Sequence, residues 1–128
     1  MSEAGGVVER YYREVVNRGD ARAARKLVSD EAVLGELDAF RRAFPDAAIH
    51  TDLLLEAGDL VAVHLRGHGT HLGIFQGHPA TGRRWAATGS AFFRVERSRI
   101  ADAWINWDLL GILEQLGAIR RVEGSNHS

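Results

Sequence analysis

The hydrophobic pattern of this chain changes period once, at Pro45-Asp46, and that switch limits the fold more than any other feature. Before it, apolar residues recur at helical spacing. Val7, Val8, Tyr11, Tyr12, Val15 and Val16 form a stripe along a first helix that Gly19 can close. Asp20 is placed to cap a second helix, with Ala21, Ala24, Leu27 and Val28 as its narrower apolar face. Ser29 or Asp30 offers the cap of a third, which carries Val33, Leu34, Leu37, Phe40 and Phe44 and ends at the proline. After the proline, alternation takes over. Ile49, Thr51, Leu53 and Leu55 predict a strand, Ala57-Gly58-Asp59 a turn, and Leu60 to Arg66 the hairpin partner. Five glycines and Pro79 between Gly67 and Gly82 predict a strand end and a long loop. Trp85 to Val95 and Ile100 to Trp107 predict two further strands joined by the turn at 96–99, and Leu109 to Leu116 a closing helix.

Three helices followed by four strands and a short helix predict an α+β fold, with the helices covering one face of an antiparallel sheet. A curved sheet closed by helices on its concave face forms a cone around a blind apolar cavity, a common small-molecule site. The 128 residues make one domain, 1–128, with flexible ends expected at about 1–4 and 123–128.

Composition narrows the function. Sixteen basic residues against 17 acidic ones leave a net charge of −1, without the basic excess that a nucleic-acid surface needs. There is no cysteine, which excludes disulfides and thiolate metal sites. The apolar runs are too short for a bilayer span and the N-terminus does not read as a secretory signal, so the cytoplasm is the expected location. His64, Arg66 and His68 alternate on one strand face, but no further ligands accompany them. That predicts a solvated or subunit-facing outer surface and no metal.

The C-terminal run Trp104-Ile105-Asn106-Trp107-Asp108 holds the candidate chemistry. Strand alternation gives Trp104, Asn106 and Asp108 one face, with an aromatic wall, an amide and an acid. Burial in apolar company favours the protonated acid, which is how proteins prepare proton-transfer groups. The bland alternative is that Asp108 caps the helix starting at Leu109. His71 has two readings, facing the pocket mouth or binding a loop carbonyl. Arg94 is either an interior partner of Asp102 or Asp108, or a surface charge. Tyr11, Tyr12, Trp85 and Trp107 read by default as core or interface aromatics.

Two segments resemble the SnoaL-like polyketide cyclase family, within the cone-shaped fold group of nuclear transport factor and ketosteroid isomerase. One is the loop Gly69-Thr70-His71-Leu72-Gly73-Ile74-Phe75-Gln76-Gly77-His78-Pro79-Ala80-Thr81-Gly82-Arg83. The other runs from Phe93-Arg94 through Ile100 and Trp104 to Asp108, then to Gln115-Leu116-Gly117. Phe44-Pro45-Asp46 is a weaker third match. The resemblance implies a cofactor-independent enzyme in which Asp108, as general acid and base, starts an intramolecular aldol closure of a hydrophobic polyketide-like carbonyl compound. Trp104, Asn106, His71, Arg94 and Phe75 are then the substrate-binding candidates, and a homodimer through the outer sheet face is expected.

Two departures accompany the resemblance. Family members usually carry a short strand and loop between the second and third helices, whereas Leu27 to Val33 runs almost directly from one helix to the next. The usual Asp-Gly turn is replaced by Arg97-Ser98-Arg99. The first departure predicts a cavity more open on that side and widens the functional alternatives. These are an epoxide hydrolase or cofactor-free hydroxylase, with Asp102 as the only second acid nearby, and a non-catalytic domain that binds a hydrophobic small molecule.

Overall fold

The computed structural model describes residues 3–120. Helix α1 (Glu3–Arg10) passes without a break into a π-helical turn (Tyr11–Val16). Helices α2 (Ala21–Leu27) and α3 (Glu31–Ala43) follow, then strands β1 (Ala48–Ala57), β2 (Leu60–Thr70), β3 (Arg84–Glu96) and β4 (Arg99–Trp107), and helix α4 (Leu109–Gln115). The strands form one antiparallel sheet in chain order. Of the ends expected to be flexible, Glu3 and Ala4 belong to α1, and residues 1–2 and 123–128 lie outside the described residues.

The π-helical turn explains the spacing of the first stripe. Its apolar pairs, 7/8, 11/12 and 15/16, repeat every four residues, and on a straight α-helix such a repeat drifts by about 40° per step. The wider i→i+5 turn removes that drift, so all six side chains are buried. The turn ends where Arg41 of α3 donates to the Val16 carbonyl and Gly19 takes a φ of 70°. Asp20 caps α2 through the Arg22 and Ala23 amides, and Asp30 caps α3 through that of Ala32. The short connection between them keeps one sheet-like contact. Val28 bridges Ile100 in parallel and the Ser29 amide donates to the Ile100 carbonyl at 2.9 Å.

Two β-bulges decide which residues face the helices. One lies between Thr51 and Leu53 in β1, the other opposite Arg94–Val95 in β4, where Arg94 pairs with Asp102 and Val95 with Ile100. An extra residue in a strand inverts the alternation beyond it. Ile49 and Ile100 therefore point inward, whereas past the bulges Leu54, Ala103, Ile105 and Trp107 take the inner face. This corrects the expectation that Ile49, Thr51, Leu53 and Leu55 share one face. Leu53 and Leu55 are 58% and 62% exposed. The core lies between the concave face and the helices, with Phe93 under Tyr11 and Tyr12, each ring pair at 5.8 Å.

Candidate functional site

The bulge in β4 carries straight into the site. Trp104 pairs with Phe92 and Asn106 with Ser90 on the outer face, while Ile105 and Trp107 face the cavity. The expected wall of Trp104, Asn106 and Asp108 on one pocket face is thereby corrected: the aromatic wall is Trp107. Its ring lies across two strands, where a Cβ at Gly67 would come within 2.9 Å of it and one at Gly89 within 2.9 Å. Only glycines leave that seat open. Phe40 of α3 stacks on Trp107 at 6.5 Å, and Trp85 meets its edge at 6.0 Å.

The cavity so formed has a volume of about 590 Å³. Tyr11, Tyr12 and Val16 line it from the π-helical turn, Val33, Glu36, Leu37 and Phe40 from α3, and Ile49 from β1. Ile74, Phe75 and Gln76 of the long loop, Ile105 to Trp107, and Leu109 and Ile112 of α4 complete it. Of the sequence candidates, Phe75 is therefore at the cavity, where it packs on Phe44 at 4.8 Å, whereas Asn106 borders the cavity along β4 with its side chain on the outer face.

Asp108 follows the lining residue Trp107 and precedes Leu109 but is itself exposed and not part of the lining. The expected burial of its carboxylate in apolar company is thereby corrected: the residue begins α4 at the surface beside the cavity. Its Oδ1 accepts the Gly111 amide at 3.0 Å and caps α4. His71 is completely buried behind the loop. Its Nδ1 meets Thr81 Oγ1 at 2.9 Å and accepts the Thr81 amide at 3.3 Å, and its Nε2 has no partner. The main chain of His71 also closes the loop, since its amide donates to the Arg83 carbonyl and its carbonyl accepts the Gly82 amide. Arg94 lies on the outer face over Trp104 at 5.5 Å, with Asp59 at 3.7 Å and Asp102 at 3.8 Å.

Tyr11, Tyr12, Glu36 and Gln76 also line the cavity and were not among the sequence candidates for the site. Burial first, then the Glu36 charge, pushes the Tyr11 phenol well up, and burial does the same for Tyr12, so both remain neutral donors. The four-residue repeat of apolar pairs was the signal that could have placed both tyrosines on one side. Nothing comparable marks Glu36. Among the described residues no group of three or more His, Cys, Asp or Glu side chains could hold a metal ion, and no helix is long and apolar enough to cross a membrane.

The sequence model of the SnoaL-like polyketide cyclase family matches residues 6–116. No curated protein sequence matches the chain at a significant level. Among solved structures, IdmH from Streptomyces antibioticus, itself proposed to be a polyketide cyclase, is 28% identical over 91% of this chain and 99% of its own, with a TM-score of 0.76. TsrD from Streptomyces laurentii is 24% identical over 91% and 96%, with a TM-score of 0.81. AclR from Streptomyces galilaeus, proposed to be a hydroxylase, is 21% identical over 94% and 99%, with a TM-score of 0.79, and like TsrD it attests the fold alone. Through the long loop, the β4 run and a match over most of its length, the chain belongs to the SnoaL-like polyketide cyclase family.

Proposed function

We propose that this protein closes a ring in a hydrophobic polyketide-like carbonyl compound by cofactor-independent acid/base catalysis. The observation that carries the reading is the position of Asp108 between two residues that line an apolar, aromatic-walled cavity of about 590 Å³. In this reaction Asp108 removes a proton from the carbon next to a carbonyl, and the enolate formed attacks a second carbonyl of the same molecule. The new alkoxide then takes the proton back from the Asp108 carboxyl, so no redox partner is needed. Trp107 and Phe40 supply a flat wall for a polycyclic skeleton and Phe75 a side wall. A helix cap is compatible with this role, because the cap uses Oδ1.

Exchange of α-hydrogens for deuterium reports the first step on any ketone that enters the cavity, whether or not it is the natural substrate. Polycyclic ketones in D2O, followed by NMR, should exchange with the protein present, and Asp108→Asn should slow that exchange by about 100-fold or more. A folded Asp108→Asn variant with unchanged exchange would remove Asp108 from the mechanism. Tight binding of the ketones with no exchange at all would instead favour a non-catalytic carrier.

The second copy belongs to the same proposal. On the outer face Leu55, Ala62, Phe92 and Trp104 pair in sequence across all four strands, and Phe92 and Trp104 are 50% and 44% exposed. With Leu53 and Leu60 beside it, this apolar band is suited to burial against an identical band.

A further inference from the structure

Helix α3 sets one acid in the middle of its cavity-lining stripe. Val33 stands three residues before Glu36 and Phe40 four after it, so the three share a helix face, and all three line the cavity. The charge of Glu36 is felt inside: after burial itself, it is what raises the phenol of Tyr11, a buried residue that lines the cavity from the π-helical turn. Glu36 is exposed, so a ligand can reach it.

This carboxylate is also unanswered. On the same helix Asp38 is paired with Arg42 at 3.0 Å and Asp30 caps the first turn, whereas among the described residues no ion pair or hydrogen bond reaches Glu36. No residue that lines the cavity is basic, and Asp108 beside it is acidic too. A negative charge set among aromatic side chains selects for a cation, because the carboxylate and the ring faces both attract one. The same field works against an anion.

Resting on the cavity reading above, we propose that Glu36 binds a protonated amine of the ligand. The substrate class is then a polycyclic carbonyl compound that also carries a basic nitrogen, and compounds with a free carboxylate are disfavoured. Glu36 acts here as a specificity residue, which fixes one end of the ligand and takes no part in the proton transfers. Because the residue is exposed, the attraction is modest and falls with added salt.

The test compares 2-(aminomethyl)naphthalene with 2-ethylnaphthalene, which match atom for atom in outline and differ in the ammonium group. Binding is read by equilibrium dialysis at neutral pH and low salt, in the wild-type protein, Glu36→Gln and Asp108→Asn. Glutamine keeps the helix propensity of glutamate, so Glu36→Gln should fold as the wild type does. In it the ratio of amine to hydrocarbon affinity should fall roughly fivefold while hydrocarbon affinity holds, and added salt should shrink that difference. An unchanged ratio in Glu36→Gln, a fall in Asp108→Asn instead, or failure of the amine alone to bind the wild-type protein overturns the assignment and leaves the cavity reading standing. Failure of 2-ethylnaphthalene to bind the wild-type protein overturns both.

Discussion

Asp108 and Gly111 constrain each other at the start of α4. Asp108 Oδ1 accepts the Gly111 amide at 3.0 Å, and a Cβ at position 111 would stand 2.2 Å from Asp108 Oδ2. The carboxylate occupies the space that any side chain at 111 would need. Gly111→Ala therefore forces Asp108 off its cap without touching the cavity wall. Alanine favours the helix over glycine by about 1 kcal/mol and loss of an Asp cap costs about 1 kcal/mol, so stability should change little. Deuterium exchange into a polycyclic ketone should nonetheless slow by tenfold or so if the capped position is the working one. Equal exchange in Gly111→Ala and wild type, with the melting temperature held, would mean that the cap has no part in placing the acid.

The outer band gives a second prediction, on association. Phe92 pairs with Ala62 on one side and Trp104 on the other, and faces away from the core. Phe92→Glu should turn the proposed dimer into a monomer in sedimentation velocity, while the isolated subunit keeps its stability to within about 0.5 kcal/mol. A wild-type protein that sediments as a monomer at high micromolar concentration refutes the dimer directly.

How much of this was legible in the sequence depends on what each signal encodes. Helix caps were readable because Asp20 and Asp30 are chemically marked where the apolar stripes stop. The order of elements was readable because the change of period at Pro45 is large. The two bulges were not. An extra residue near Asp52 or Ala101 alters neither composition nor strand propensity, yet it exchanges the two faces for every residue beyond it. Trp104 and Trp107 swapped roles for that reason alone. Gly67 and Gly89, which seat Trp107, carried a hint, but it can be read only once the register that sets them beside that ring is known.

The β3–β4 turn carries two residues in a conformation that suits others better. Arg97 and Ser98 have φ values of 53° and 62°, the left-handed pair of a type I′ hairpin, where Asn and Gly are preferred. Ser98 is tied down, since its Oγ donates to Glu3 Oε2 at 2.7 Å. Arg97→Asn should therefore stabilise the protein by roughly 0.5–1 kcal/mol, seen as a melting temperature higher by a few degrees. An unchanged or lower melting temperature would show that Arg97 makes a contribution the turn geometry does not reveal.

Acid should weaken one junction in a defined direction. The Thr70 hydroxyl and then its amide donate to Asp46, at 2.7 and 2.8 Å, and hold its carboxyl below the usual carboxylate range. A group whose pKa is lowered on folding stabilises the protein above its unfolded value, here 3.8, and loses that contribution as pH falls through the folded value. The stability gap between wild type and Asp46→Ala, measured in urea, should be constant near neutrality and close as pH drops below about 4. A gap that persisted undiminished at about pH 2 would assign the loss to packing and not to the carboxylate.

The long loop is held to α3 by one carbonyl, and Gly73 is where that attachment is tightest. The amides of Leu72 and Gly73 both donate to the Ala43 carbonyl, at 2.9 and 3.1 Å. A Cβ at position 73 would lie 2.2 Å from the Arg42 carbonyl oxygen, which is backbone in the last turn of a helix and has no easy way to give. Gly73→Ala must therefore push the loop away from the helix, at a cost of about 1–3 kcal/mol. Ile74, Phe75 and Gln76 follow immediately and line the cavity, so the same displacement opens its rim. Weaker binding of 2-ethylnaphthalene together with a lower melting temperature is the expected pair of effects. Lost stability with undiminished binding would separate the loop's anchor from the cavity it borders.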